Sequence, residues 1–219
     1  MARIARIVLP GQPHHVIQRG NRRQDVFFQD IDRLEYLRLL KEQSLKYGLK
    51  IWSYCLMTNH IHLVVVPRDE NSLAQTIGET HRRYTRMINF RERWRGYLWQ
   101  GRFQSFPLHY SYAFACIRYV ERNPVRAKMV KKAEDYQWSS ARAHVFKKKN
   151  ELLSHFRLLD EIKDWSEYLK KIDEKEKLEL FRKHVETGRL LGDDEYIREW
   201  SIKLNRILYK KKPGPKPKA

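Results

Sequence analysis

Apolar positions recur along the chain in two periods, and the alternation between them predicts the elements. Pro13-His14-His15-Val16-Ile17-Gln18-Arg19 reads as a short strand ending in the polar turn Gly20-Asn21-Arg22-Arg23-Gln24. Ile31, Leu34, Leu37 and Leu40 then recur at helical spacing, with Asp30 able to cap the helix and Gly48 to stop it. Runs from about Lys50 to Leu56 and from about His60 to Val66, joined by Met57-Thr58-Asn59, predict a hairpin. A second helix starts at Asn71 or Ser72, with Leu73, Ile77, Tyr84 and Ile88 on one face and Arg82, Arg83 and Arg86 largely off it. Trp99 to Ser105 leads to an edge strand near Phe106 to His109, followed by a helix from about Tyr112 to Asn123 that Pro124 interrupts. The order β-α-β-β-α-β-α predicts an α+β fold: a ferredoxin-like, split βαβ antiparallel sheet with helices on one face.

From about residue 147 the pattern changes. Lys147-Lys148-Lys149-Asn150 reads as a linker, and the stretch beyond it is rich in Leu, Glu and Lys without strand patterning. We therefore expect an α+β domain over 1–146, a C-terminal helical appendage over 147–209 with helices near 151–160, 164–186 and 193–209, and a basic Lys/Pro tail over 210–219.

Charge narrows the partners. Among 219 residues, 45 Lys and Arg against 26 Asp and Glu leave a formal charge of +19, distributed along the whole chain. A polyanion is the expected partner. Nucleic acid fits better than a membrane surface, because no apolar run approaches the ~18 residues of a span and no segment is both strongly amphipathic and basic at its edge. Ile7-Val8-Leu9 is cut short by Pro10-Gly11, unlike a signal peptide. Cys55 and Cys116 are too few for a disulfide framework, so a reducing cytoplasm is the expected compartment.

Candidate chemistry begins at His60-Ile61-His62. In a strand both imidazoles project from one face, aimed at a common point where Mg²⁺, Mn²⁺ or Zn²⁺ could sit, although a third ligand is needed. On the helix before Pro124, Ala113, Ile117 and Val120 form the apolar stripe, while Tyr119 and Asn123 share another face at i, i+4. Each motif alone also arises by chance. Together they make a phenol nucleophile one turn from a third metal ligand, Asn123. A divalent ion neutralises and positions a phosphodiester, and a phenol is a far better leaving group than an alkoxide, so the covalent step is reversible.

These residues, in this order, resemble the HUH single-tyrosine transposases of the insertion-sequence type, most closely the REP-associated tyrosine transposases of bacterial genomes. The likeness spans roughly residues 1–145. It is carried by His15-Val16-Ile17-Gln18-Arg19-Gly20-Asn21-Arg22-Arg23, Met57-Thr58-Asn59-His60-Ile61-His62-Leu63-Val64-Val65, Trp99-Gln100-Gly101-Arg102-Phe103, Tyr119-Val120-Glu121-Arg122-Asn123-Pro124-Val125-Arg126-Ala127 and Trp138-Ser139-Ser140-Ala141. The resemblance implies a catalytic domain with Tyr119 as nucleophile, and Mg²⁺ or Mn²⁺ held by His60, His62 and Asn123. It implies an endonuclease and strand transferase that cuts single-stranded DNA beside REP-like palindromic hairpins through a 5′-phosphotyrosine. It also implies a cytoplasmic, nucleoid-associated protein without membrane attachment. The REP-associated branch is expected to act as a monomer, whereas related enzymes exchange the tyrosine helix in a dimer.

DNA contacts are expected from Asn21, Arg22 and Arg23, where the family reads a short tetranucleotide, and from Arg82, Arg83, Arg86 and Arg102. Trp94, Tyr97 and Trp99, interleaved with Arg91, Arg93 and Arg95, are candidates for stacking on bases, while Trp52, Tyr54 and Phe103 read as core. His81, beside Arg82 and Arg83, reads as solvated or phosphate-contacting. Of His14 and His15 at most one can face a metal, and neither is expected to ligate it. The tail resembles a loose minor-groove hook, but with Lys and Pro in place of arginines it reads as a nonspecific phosphate binder. Two other functions remain: a non-catalytic single-stranded nucleic-acid-binding module, and a zinc-dependent hydrolase, for which no nearby acid stands as general base.

Overall fold

The computed structural model describes residues 5–209; the Lys/Pro tail expected over 210–219 lies outside the described residues. Four strands, β1 (His14–Arg19), β2 (Leu49–Leu56), β3 (His60–Pro67) and β4 (Gln104–Pro107), form one sheet in the order β2-β3-β1-β4. All neighbouring pairs are antiparallel. Hence β1 and β2 run parallel with β3 between them, and β3 and β4 run parallel with β1 between them. The helices α1 (Asp30–Tyr47) and α2 (Ser72–Glu92) make the two crossovers. This is the expected pair of interleaved split βαβ units.

Strand residues of both parities are apolar, so the sheet has two faces to cover. Val16, Tyr54, Ile61, Leu63 and Val65 pack against Tyr36, Leu39 and Leu40 of α1 and Leu73, Ile77, Tyr84 and Ile88 of α2. Cys55, Val64, Val66 and Phe106 pack on the other side against Ala113, Cys116, Ile117 and Val120 of α3 (Tyr110–Glu121). The expectation of helices on one face is thereby corrected: α1 and α2 form that layer, and α3 lies on the opposite face.

Two details of the helices differ from the sequence pattern. In α1, Ile31 and Leu34 are 58% and 53% exposed, and the buried side runs through Tyr36, Leu39, Leu40 and Gln43. Aromatic bulk, not the Ile/Leu repeat, sets this helix's orientation. Its first turn is held by Asp32 rather than Asp30: the Asp32 carboxylate accepts the backbone N–H groups of Phe28 and Gln29 at 2.8 and 2.9 Å and pairs with Arg91. Both β4 and α3 begin two residues earlier than expected, because β1 pairs with β4 from Ile17↔Gln104 to His14↔Pro107.

After α3 the chain continues through the single turn α4 (Asn123–Arg126), with Pro124 in its first turn, and α5 (Ala141–Val145). Then follow α6 (Arg157–Glu161), α7 (Trp165–Lys170), α8 (Lys175–Thr187) and α9 (Asp194–Lys203). The long helix expected over 164–186 is broken between α7 and α8, where Asp173 meets Arg118, Arg122 and Arg126. Leu153 and Leu191 form isolated bridges with Ile51 and Leu108, and Phe156 stacks on Trp52 at 4.7 Å.

Glu121, fully buried at the end of α3, accepts hydrogen bonds from Ser140 Oγ (2.5 Å), His144 Nδ1 (2.6 Å) and Trp165 Nε1 (2.8 Å). That acceptor ties the Trp138-Ser139-Ser140-Ala141 block to the tyrosine helix. Cys55 and Cys116 are both buried free thiols. Among the described residues, no helix is long and apolar enough to cross a membrane.

Candidate active site

The register of β1 on β3 sets the site. Arg19 lies opposite His60, Ile17 opposite His62 and His15 opposite Val64, so one face of the sheet carries both histidines of the motif plus His15 and Arg19. The His60 and His62 rings are 5.0 Å apart. Burial and the nearby Arg19 lower the His60 pKa to about 4, and burial with His15 close by takes that of His62 well below its ordinary value. Both rings are therefore neutral at pH 7, the state that can donate a lone pair.

Each ring is oriented through its Nδ1. Asn59 donates from Nδ2 to the Arg23 carbonyl at 2.9 Å, which leaves its Oδ1 to accept from His60 Nδ1 at 2.6 Å. His62 Nδ1 lies 3.0 Å from His15 Nε2. No hydrogen bond engages Nε2 of His60 or His62 among the described residues. An Nδ1 held by a second group with Nε2 left open is how metal-ligating imidazoles are set. His15 keeps its own Nδ1 buried without a partner. Its ring lies nearly parallel to that of His62, 5.2 Å away.

Tyr119 reaches this cluster from α3, its ring centroid 5.8 Å from His62 and 5.7 Å from His15. The helical pattern put it off the apolar stripe. It is only 7% exposed, because Phe181 of α8 packs on it at 5.4 Å and the Arg126 guanidinium lies 4.3 Å over its ring. Burial raises its pKa, while Arg126 and Arg182 act in the opposite direction by favouring phenolate. The Asn123 amide nitrogen donates to the carbonyls of Tyr119 (3.1 Å) and Val120 (3.2 Å), finishing the helix and leaving Oδ1 as its open acceptor. Among the described residues, no three His, Cys, Asp or Glu side chains are grouped to hold a metal.

Positive charge surrounds the cluster. Arg19 and Arg126 are both partly buried beside it, each with a lowered pKa from desolvation. Arg22 and Arg23 adopt left-handed backbone, φ 53° and 63°, in the turn Asn21–Arg23, which is pinned by Gly20 N–H to Asn59 O and by Asn21 N–H to Leu98 O, both at 2.8 Å. The three expected DNA-contacting residues of that turn thus adjoin Asn59 and His60. Arg82 is paired with Glu79, and Arg83 with Glu42, while Arg86 and Arg102 have no acidic partner among the described residues.

Other expectations resolve in both directions. Trp94 and Tyr97 are exposed, as stacking candidates should be, but Trp99 is buried and stacks on His81 at 4.4 Å. The reading of His81 as solvated is corrected: it is buried and bonded to the Tyr36 hydroxyl at 3.0 Å. Sequence reasoning missed Asn59, His15, Arg126 and Arg182 as neighbours of the reactive groups. For His15 alternation along β1 held a usable signal; for Arg182 none existed, since it arrives from a distant helix.

The family model described as IS200-like transposase matches residues 11–123. The fold is similar to that of a REP-associated tyrosine transposase solved bound to a REP hairpin, with a TM-score of 0.58 and 16% identity over 71% of this chain and 93% of that one. A candidate transposase from Deinococcus radiodurans R1 aligns with a TM-score of 0.38 and 16% identity, over 58% of this chain and 92% of its own. No curated protein matches the chain. With over half its length matched by the family model, the chain belongs to the IS200-like transposases, enzymes that act on DNA.

Proposed function

We propose that this protein is a REP-associated tyrosine transposase: a metal-dependent single-strand endonuclease and strand transferase acting beside hairpin-forming palindromes. The observation that carries the reading is the pair His60 and His62, each neutral and oriented through Nδ1, with the Tyr119 ring beside His62. His60 and His62 would hold Mg²⁺ or Mn²⁺ with Asn123 as third ligand. When bound, the ion neutralises the phosphate and fixes the line of attack.

The chain's own groups account for the rest of the step. Tyr119 Oη forms a bond to phosphorus as the P–O3′ bond breaks. The phenolic proton goes to solvent, and the departing 3′-oxygen takes up a proton to become a 3′-hydroxyl. Arg126 and Arg182 favour the phenolate against the cost of burial. In the reverse direction a 3′-hydroxyl attacks the 5′-phosphotyrosine and releases Tyr119, so the bond energy is conserved and strands are joined without another energy source. That Tyr119 and His62 lie beside each other within one chain supports a monomer as the working unit.

The cover over Tyr119 adds a condition. Phe181 is 1% exposed against the phenol ring, so α8 has to shift before a DNA strand reaches it. That cover is also the observation that favours the second reading, a module that binds single-stranded nucleic acid without cutting it.

The test is incubation of labelled single-stranded hairpin oligonucleotides with the protein and Mg²⁺ or Mn²⁺, followed by a denaturing gel. A covalent adduct that Tyr119→Phe abolishes is expected, and His60→Ala or His62→Ala should remove cleavage while keeping most binding, which phosphate contacts elsewhere supply. Binding without adduct in either metal would favour the non-catalytic module.

A further inference from the structure

On the α2 side of the sheet, a cavity of about 560 Å³ opens between that helix, the 96–103 segment and Arg6. This is an ordinary size for a small-ligand site. His81, Trp99 and Phe103 give it flat aromatic walls, and Tyr97, 86% exposed, stands at its lip. His81 has Nε2 occupied by Tyr36, so Nδ1 is the ring's remaining polar edge. Trp99 keeps its indole N–H buried with no acceptor.

The rim is cationic and uncompensated. The Arg6 guanidinium lies 3.7 Å over the Phe103 ring and donates to the Phe103 carbonyl at 2.9 Å. Burial and the adjacent Arg102 bring its pKa down to about 10, and neither arginine has an acidic partner among the described residues. Two neighbouring guanidinium groups without a counter-charge favour an anion between them.

The cavity is also tied to the candidate active site. Trp99 bridges Gly20, and Gln100 N–H donates to the Arg19 carbonyl at 2.8 Å, while Arg19 lies opposite His60. The segment that walls the cavity and His60 thus flank the same end of β1, the cavity on the α2 face of the sheet and the His60 ring on the α3 face.

We infer that this cavity takes one unpaired nucleobase of the DNA substrate, with a flanking phosphate on Arg6 and Arg102, and so sets the register of the strand entering the site. The inference rests on the reading that the substrate is single-stranded DNA. Flat walls suit a base, the His81 edge can read its polar groups, and the arginine pair suits the phosphodiester. A strand seated there has only to pass round the end of β1 to reach the histidines.

The test uses the full chain without metal, and hairpin oligonucleotides in which 2-aminopurine is walked through the single-stranded flank. One position is expected to show a protein-dependent fluorescence change, and an abasic site at that position should weaken binding about tenfold. Gly78 lines the cavity from within α2, and a Cβ there would meet nothing within 4 Å. Gly78→Leu therefore fills the space while favouring the helix, and a melting temperature at or above that of the natural chain confirms folding. It should erase both the positional signal and the tenfold discrimination.

A signal spread evenly along the flank, or positional discrimination that survives Gly78→Leu, overturns the inference. Covalent adducts without a positional signal would overturn the cavity and leave the tyrosine chemistry standing. A positional signal without adducts in either metal would support the cavity and overturn that chemistry.

Discussion

Asn59 Oδ1 accepts a hydrogen bond from His60 Nδ1 at 2.6 Å, and the same carboxamide donates to the Arg23 carbonyl at 2.9 Å. The turn residue before the motif thus sets the tautomer of the first histidine and links it to the basic turn that starts at Asn21.

If Asn59 orients His60 for metal, Asn59→Ala should cost about 10–100-fold in the metal concentration needed for adduct formation, the usual effect of removing such a partner. Titrating Mn²⁺ against adduct yield checks this, and unchanged metal dependence would remove Asn59 from the site. Because the loss lies in metal affinity, saturating Mn²⁺ should restore much of the rate.

Asp173 holds the chain before α8 against the tyrosine helix, its carboxylate 3.3 Å from Arg118 Nε, 3.1 Å from Arg122 Nε and 3.0 Å from Arg126 Nη1. The contact to Arg118 is an ion pair without hydrogen-bond geometry, so the other two are the firmer ones. Asp173→Asn leaves three cations without their buried counter-charge. It should loosen α8 by several kcal/mol, seen as faster proteolysis between α7 and α8 and a severalfold faster initial rate of adduct formation. Faster proteolysis with no gain in rate would mean that α8 does not limit access to Tyr119.

Acid should begin to destabilise the fold near pH 6.5, above the ordinary carboxylate range. His14 accepts the Leu9 N–H at Nε2 (3.1 Å) and bonds the Gln12 carbonyl through Nδ1 (2.8 Å), so only the neutral ring satisfies both. Its pKa is lowered to about 4, and that of buried His81 to about 3, both by desolvation. Below the unfolded value of 6.5 the unfolded chain binds protons that the folded chain refuses. Stability is therefore full above pH 6.5 and falls as pH drops toward 4, at up to about 1.4 kcal/mol per pH unit per histidine. Denaturant midpoints at pH 7, 6, 5 and 4 would show it, and His14→Gln should flatten the slope.

Local pattern was enough for much of this molecule. Apolar runs bounded by turn residues located β1, β2 and β3 to within a residue or two, and the stripe Leu73, Ile77, Tyr84, Ile88 of α2 is buried throughout. His60 and His62 share a face because strand geometry obliges residues two apart to do so. Those are properties of neighbours in the chain.

What depended on distant segments was not legible. Ile31 and Leu34 match a helical stripe yet face solvent, because the larger rings of Tyr36, Phe27, Tyr84 and Trp99 fill the space under α1. His81 looks solvated between charged neighbours, but the rotation of α2 aims it at Tyr36 and Trp99. Amphipathic patterning put Tyr119 off the apolar stripe, whereas its ring lies against His15 and His62 of the sheet. The rest of its cover comes from Arg126 and from α8, about sixty residues further along the chain, and nothing in a helical period reports which later element will land on a helix. The sequence alone determined the order of the elements, the pairing of two imidazoles on one strand face and the family likeness, because each resides in contiguous residues. Only the tertiary structure decided that Tyr119 meets His62 beneath Phe181 and that His15 stands behind His62, because long-range packing brings together groups whose separation in sequence carries no information about their distance.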